Sequence, residues 1–132
     1  MPIEHLNPKD MHSNPAFSQG IILPPGARTL LIGGQNAVDE NGQIVGKGDI
    51  GAQSVKAVDN LIKVLEAAGG DLDHLVRVAI YIVGDEDLRP GFGAWMERWG
   101  KRTKPPVVTG IRVHGLANPD YLIEIEAMAI LP

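Results

Sequence analysis

The stretch PPVVTGIRVHGLANPDYLIEIEAMAIL, residues 105–131, decides the fold of this chain. It predicts two strands, at about 107–113 and 122–131, joined by an Asn-Pro-Asp loop. On the second strand Glu124 and Glu126 point to one face, because successive side chains of a strand alternate. The other face is apolar throughout: Ile123, Ile125, Ala127, Ala129 and Leu131. The apolar face is therefore buried, and the acidic face must meet water, a ligand or a neighbouring subunit.

Composition excludes several classes of protein. The chain has 132 residues, 44% of them hydrophobic and 21% charged, which suits a single globular domain spanning residues 1–132. It contains no cysteine, so disulfides, cysteine nucleophiles and thiolate metal sites are excluded. The net charge is −4 and Lys and Arg are scattered, so no nucleic-acid partner is expected. Neither an export signal nor an apolar run of the ~18 residues that a membrane span needs is present, so we expect no membrane partner and a cytoplasmic location.

Ahead of the deciding stretch, the pattern predicts an irregular segment followed by strands. Residues 1–20 are rich in breakers and read as irregular. Ile21–Leu23 and Thr29–Gln35 predict the first two strands. The Asn41-Gly42 pair favours a tight hairpin into a third strand. Gly33-Gly34, inside a strand pattern, predicts a bulge or a close approach of another backbone.

Two helices are predicted, one before and one after a central strand in the sequence. The first runs from about 50 to 68, is capped by Asp49, and buries a stripe formed by Val55, Val58, Leu61, Ile62 and Leu65. Residues 76–83 are β-branched and nearly all apolar, as in a strand covered on both faces. The second helix, about 88–101, has Leu88, Phe92, Trp95 and Trp99 on one stripe. The last three are expected in the core, and Phe92, near the start of the helix, could also line a cleft. The order β-β-β-α-β-α-β-β predicts an α+β fold in which two helices cover one face of a mixed sheet.

The chain resembles the RidA/YjgF/L-PSP family over nearly its whole length. The resemblance rests on the order and spacing of Pro15–Gly20, Gly33–Gln35, Leu65–Gly70, Val78–Val83 and Leu116 with Ile123–Ala129. It implies a chorismate-mutase-like fold and a homotrimer whose sheets surround a central barrel, with three clefts between subunits. It also implies cofactor-independent hydrolysis of reactive enamines and imines to ketoacids and ammonia. Other members are described as ribonucleases or translation inhibitors.

The resemblance implies a set of site residues, and three of them differ in this chain. Members that deaminate 2-imino acids have a Pro-x-Arg whose guanidinium grips the substrate carboxylate. Here that position is Val108, or Val107 by an alternative count. A tyrosine of the N-terminal loop corresponds to Phe17, and an asparagine of the second helix corresponds to Phe92.

Other site residues match the family or extend its cleft. Gly34, which flanks the cleft, and Glu124, which positions a water, are both retained. Glu124 is therefore the catalytic candidate; the alternative is a structural carboxylate that accepts hydrogen bonds from a neighbouring loop or subunit. Glu126 is expected to be structural. Thr109 and Arg112 are further substrate-binding candidates, although Arg112 could instead be exposed or paired at an interface.

These departures predict a more apolar cleft with one carboxylate. Loss of a bidentate arginine lowers the affinity for a carboxylate ligand by about 1.5–3 kcal/mol, roughly ten- to a hundredfold. We therefore expect a small-molecule ligand with an imine, enamine or amide bond, rather than a standard 2-imino acid. We expect no metal or organic cofactor, since the histidines lack ligand spacing. The alternative is a non-catalytic trimer that binds a metabolite in the same clefts; a ribonuclease is disfavoured by the acidic charge.

Overall fold

The computed structural model describes residues 3–132, which form a mixed sheet covered on one face by two helices. The strands are β1 Glu4–Leu6, β2 Gly20–Ile22, β3 Arg28–Gln35, β4 Leu75–Val83, β5 Val107–Val113 and β6 Ile123–Leu131. The helices are α1 Ile50–Ala67 and α2 Arg89–Trp99, with a 3-10 turn at Leu72–His74. The main sheet has the order β3-β6-β4-β5, in which only β4 and β5 are parallel, while β1 and β2 form a separate ribbon. The predicted α+β class is confirmed.

The core lies between the sheet and α1. In β6 the predicted alternation holds, because Ile123, Ile125, Ala127 and Ala129 are buried. Leu61 and Leu65 of α1 belong to the same buried cluster as these four residues of β6. No helix within residues 3–132 is long and apolar enough to cross a membrane.

Helix α1 begins where the sequence predicts. Asp49 accepts a hydrogen bond from the backbone N–H of Ala52 at 3.1 Å, which satisfies one of the unpaired amides of the first turn. Gly69, with φ of 81°, lets the chain leave the helix in the left-handed region. The prediction that Val55 is buried is wrong, because this residue is 37% exposed. It lies at the margin of the stripe that Val58, Leu61 and Leu65 define.

The second helix buries only its carboxyl-terminal half. Trp99 is buried, its ring stacks on that of Trp95 at 5.8 Å, and its indole N–H donates to the carbonyl of Arg102 at 2.9 Å. The prediction that Phe92 lies in the core is wrong, because it is 54% exposed; Leu88, on the same stripe, is 43% exposed. The first turn of α2 contacts Ser54 of α1 through Gly91. The neighbouring side chains of Leu88 and Phe92 therefore point to solvent and to a cavity.

Two predictions for the first fifty residues are wrong. The segment predicted as irregular contains β1, which pairs with β2. The third strand does not form, and only an isolated bridge joins Val38 to Ile44.

The predicted turn itself forms: the backbone N–H of Gly42 donates to the carbonyl of Asp39 at 3.0 Å, and the N–H of Asp39 donates to the carbonyl of Gln43 at 2.9 Å. Only Gly42 has a positive φ, so the turn is not the type with positive φ at both central residues that the Asn-Gly pair favours. The Asp39 carboxylate accepts from the backbone N–H groups of Asn41 and Gln43, both at 2.9 Å, and stabilises this other turn.

Candidate functional site

An apolar cavity of about 270 Å³ lies between the sheet, the two helices and the N-terminal loop. It is lined by Asn14, Ala16 and Phe17 of the loop, Ser54 and Val58 of α1, Leu88, Gly91, Phe92 and Trp95 at α2, Val78, Ile80 and Ile82 of β4, Val108 and Gly110 of β5, and Ile123 and Ile125 of β6. None of these lining residues is charged. Such a surface suits an uncharged, largely apolar group.

Three of the predicted site residues meet in this cavity. Phe17, Phe92 and Val108 all line it, although they come from a loop, a helix and a strand. In β5 Val108 lies opposite Val78, which also lines the cavity. Val107, the alternative position for the missing arginine, projects to the opposite face because strand side chains alternate. The position that would direct an arginine into the cavity is therefore that of Val108.

Two of the few polar groups of the lining residues are engaged within the chain. The Ser54 hydroxyl donates to the carbonyl of Ile50 at 2.7 Å, within its own helix. The Asn14 side-chain oxygen accepts from the backbone N–H of Ala16 at 2.8 Å, which closes the turn that presents Phe17. The cavity therefore presents mainly carbon to a ligand.

A buried cluster that the sequence analysis missed fixes Phe17 beside β5. Ser18 is buried; its backbone N–H donates to Pro106 O at 3.0 Å and its hydroxyl donates to Pro105 O at 2.6 Å. His5 Nδ1 lies 2.9 Å from the same hydroxyl. Burial lowers the pKa of His5 below its ordinary value, which favours the neutral ring. A lone serine in a loop gives no signal in the sequence, because its partners are 87 residues away.

Glu124 and Gly34 lie together, on the other face of the sheet. Glu124 stands between two cavity-lining isoleucines of β6, so its side chain leaves from the open face. Its Oε1 accepts from Asn36 Nδ2 at 3.1 Å, and the same amide donates to the carbonyl of Ile123 at 3.0 Å. Asn36 is a second partner that the sequence analysis missed. The predicted bulge at Gly33-Gly34 is confirmed, since the β3–β6 register shifts there.

Gly34 is glycine because the Glu124 side chain occupies its space. A Cβ added at Gly34 would lie 2.7 Å from Glu124 Cδ, well inside van der Waals contact. A Cβ at the neighbouring Gly33 meets nothing within 4 Å. The carboxylate is thus held between the backbone of β3 and the amide of Asn36.

Gly34→Ala should therefore displace the Glu124 carboxylate and destabilise the fold. We expect a loss of about 1 kcal/mol in the free energy of unfolding, measured by denaturant titration, because the added methyl displaces the end of the Glu124 side chain and breaks its hydrogen bond with Asn36. Gly33→Ala is the matched control and should change it by less than about 0.5 kcal/mol. Equal effects of the two substitutions would contradict this account of Gly34.

The second carboxylate of β6 has partners within the chain. Tyr81 donates its hydroxyl to Glu126 Oε1 at 2.7 Å, and Arg77 Nη1 lies 3.8 Å from the same oxygen. The hydrogen bond to Glu126 raises the pKa of the Tyr81 phenol above its usual value of 10.0, because the carboxylate holds the phenolic proton. These contacts give Glu126 the structural environment that was expected for it; a partner across a subunit boundary stays a prediction.

The remaining two candidates do not line the cavity. Thr109 is exposed on the open face, in register with Ala79. Arg112 Nη1 donates to the carbonyls of Gly84 and Glu86, at 2.8 and 3.1 Å. It thereby holds the loop between β4 and α2, which leads to the cavity-lining part of that helix. A direct role of either side chain in substrate binding stays a prediction.

The candidate residues thus form two half-sites. The cavity half-site contains Phe17, Phe92 and Val108; the open-face half-site contains Gly34 and Glu124. Within one chain the sheet separates them. Across residues 3–132 no group of three His, Asp or Glu side chains is placed to hold a metal ion.

Comparisons with known proteins agree in one family. The family model described as endoribonuclease L-PSP matches residues 9–131. The chain is 34% identical over 114 residues to a RutC family protein of Pyrococcus abyssi, covering 86% of this chain and 84% of the relative. It is 36% identical over 101 residues to a RutC family protein of Pyrococcus horikoshii, covering 76% and 77%. The crystal structure of a conserved Rid family protein of unknown function from Yersinia pestis superposes with a TM-score of 0.86, at 33% identity, over 99% of this chain and 100% of that one.

Proposed function

The chain belongs to the endoribonuclease L-PSP family, the RidA/YjgF group, and from this premise we propose that it hydrolyses the C–N bond of a small uncharged imine, enamine or amide. Family membership supports a deaminase-like or binding role toward small molecules in general. The observation that carries the finer proposal is the charge-free lining of the cavity. Phe17, Phe92 and Val108 line it where members that deaminate 2-imino acids are expected to have tyrosine, asparagine and arginine.

In this proposal the active site forms between copies in a homotrimer. Glu124 of one copy completes the cavity of the next, because no single chain joins the two half-sites. The open face that would line the central barrel carries Leu31, which is 76% exposed, and Ile111, which is 43% exposed. Burial of such side chains between copies would favour association. A trimer of 14.1 kDa chains would have a mass of about 42 kDa in solution.

The proposed chemistry uses Glu124 and one water. The carboxylate takes a proton from the water as its oxygen adds to the imine carbon, and the C=N π electrons move to nitrogen. The proton then returns to nitrogen and gives a neutral carbinolamine. The carboxylate next carries the hydroxyl proton to the same nitrogen as the C–N bond breaks and the C=O bond forms, so that a carbonyl product and ammonia leave. Oxidation states do not change, so the reaction consumes only water.

The second candidate is a trimer that binds a metabolite without converting it. It is favoured by the hydrogen bond from Asn36 to Glu124, which suits a structural carboxylate as well as a catalytic one. A ribonuclease activity is disfavoured by the net charge of −4, because phosphate contacts require a basic surface.

The test compares two imines that differ in charge. A neutral imine is released in situ from an arylalkylamine by an amine oxidase, and 2-iminobutanoate is released from its amino acid by an amino-acid oxidase. Formation of the carbonyl product is followed with and without the protein. We expect acceleration of the neutral imine and none for 2-iminobutanoate. Acceleration of 2-iminobutanoate alone would show that the missing arginine does not determine specificity, and acceleration of neither would favour the binding role.

A further inference from the structure

Gly110 of β5 lines the cavity, and nothing in the surrounding structure requires glycine at this position. Gly110 of β5 lies opposite Ile80, and both line the cavity. A Cβ added to Gly110 would meet no atom within 4 Å, and its φ lies outside the left-handed region. Neither crowding nor backbone conformation therefore requires glycine here, although glycine weakens the interior of a strand. What the glycine does provide is space in the cavity.

We propose that Gly110 determines specificity by making the cavity a pocket for an uncharged ring of the substrate, about as large as indole. This inference rests on the proposed function and names its substrate class. An apolar cavity of about 150 Å³ binds benzene. The cavity here is about 270 Å³, which leaves room for a second fused ring. Phe17, Phe92 and Trp95 supply aromatic faces and edges against which such a ring can pack.

The lining also fixes which end of the substrate is buried. Val58, Ile123 and Ile125 are buried and form the inner end of the cavity. Leu88, Phe92 and Gly110 are exposed and lie toward its open end, so an entering ring must pass Gly110. The ring therefore enters first, and the C–N bond remains at the open end. A carboxylate in the ring portion would lose its hydration against carbon, since no lining residue carries a positive charge.

Indole is the probe for this pocket, and methyl NMR is the readout. Titration into protein labelled at Ile, Val and Leu methyl groups should shift the resonances of Val78, Ile80 and Ile125, with a dissociation constant at or below about 1 mM. Gly110→Val places three carbon atoms in the cavity and should weaken binding at least about tenfold. Gly33→Val is the matched control: it is also a strand glycine with open space and an ordinary φ, but it lies outside the cavity, so its affinity should equal that of the wild type.

The outcomes separate this inference from the proposed function. Unshifted lining methyls at high indole, or an affinity that Gly110→Val leaves unchanged, would overturn the pocket. Tighter binding of indole-3-carboxylate than of indole would overturn its preference for uncharged rings. If indole binds as expected and the neutral imine is not hydrolysed, the pocket stands and the proposed catalysis fails. If the imine is hydrolysed while Gly110→Val binds indole normally, the catalysis stands and the pocket assignment fails.

Discussion

Replacing Glu124 with glutamine should lower kcat for the neutral imine by about 10²- to 10⁴-fold, the range that general base catalysis contributes. Glutamine has nearly the same shape, and its side-chain oxygen can still accept the hydrogen bond that Asn36 donates. The fold and the oligomer should therefore survive, while the group that takes the proton from water is lost. KM should change little, because the proposed substrate contacts belong to the cavity. The measurement is steady-state kinetics on the in-situ imine, with circular dichroism and solution mass as checks on folding.

Glu126→Gln is the control for that experiment. Glu126 shares the strand and the face of Glu124, but its carboxylate is held by Tyr81 and lies two residues away. We expect less than about a threefold change in kcat for this variant, as for a substitution outside the reacting groups. An unchanged rate for Glu124→Gln would remove Glu124 from the mechanism and leave it as a structural carboxylate.

Val108→Arg should convert the cavity into one that accepts a carboxylate. The affinity for 2-oxobutanoate, the product of 2-iminobutanoate hydrolysis, should rise about ten- to a hundredfold, as a bidentate guanidinium–carboxylate pair is worth roughly 1.5–3 kcal/mol. The same charge in an apolar cavity should weaken indole binding and lower the free energy of unfolding of the unliganded protein. Calorimetric titration of both ligands measures this exchange of preference.

Val107→Arg is the matched variant for this prediction. The added group is the same and the residue is adjacent, but its side chain leaves from the other face of β5. It should not improve the binding of 2-oxobutanoate. A gain for Val107→Arg without one for Val108→Arg would show that the other alignment of the missing arginine is correct.

The sequence predicted the fold where the determining interactions are local or periodic. Asp49 caps α1 through an amide three residues away, so the cap is readable from the chain itself. The alternation in β6 identified the buried face, and Gly33-Gly34 marked the bulge.

The errors have a different origin. At Asn41-Gly42 the turn forms as predicted, but it leads into a single bridge between Val38 and Ile44 instead of a third strand. The Asp39 carboxylate accepts from the turn amides of Asn41 and Gln43, an interaction that the Asn-Gly pair does not indicate.

The site was less predictable, because its parts come from distant segments and two faces. Helical spacing predicted Phe92 in the core and the family resemblance predicted it in the cleft; it lines the cavity and is 54% exposed, because α2 contacts α1 through Gly91. The separation of Glu124 from Val108 follows from strand alternation, but only the sheet order shows which elements cover each face. Asn36 and Ser18 act through partners 88 and 87 residues away, which no local pattern reports.

The central claim is that the cavity of one copy and Glu124 of the next form one active site. Glu124→Gln and Gly110→Val subunits with different tags can be co-expressed, and trimers carrying both tags purified and assayed at an imine concentration well below KM, where the weaker binding of Gly110→Val lowers the rate. Every such mixed ring contains a single boundary at which an intact cavity meets an intact glutamate, so hydrolysis of the neutral imine should return to about one third of the wild-type rate. Mixed trimers as inactive as the two parents would contradict the claim and place the site within one subunit.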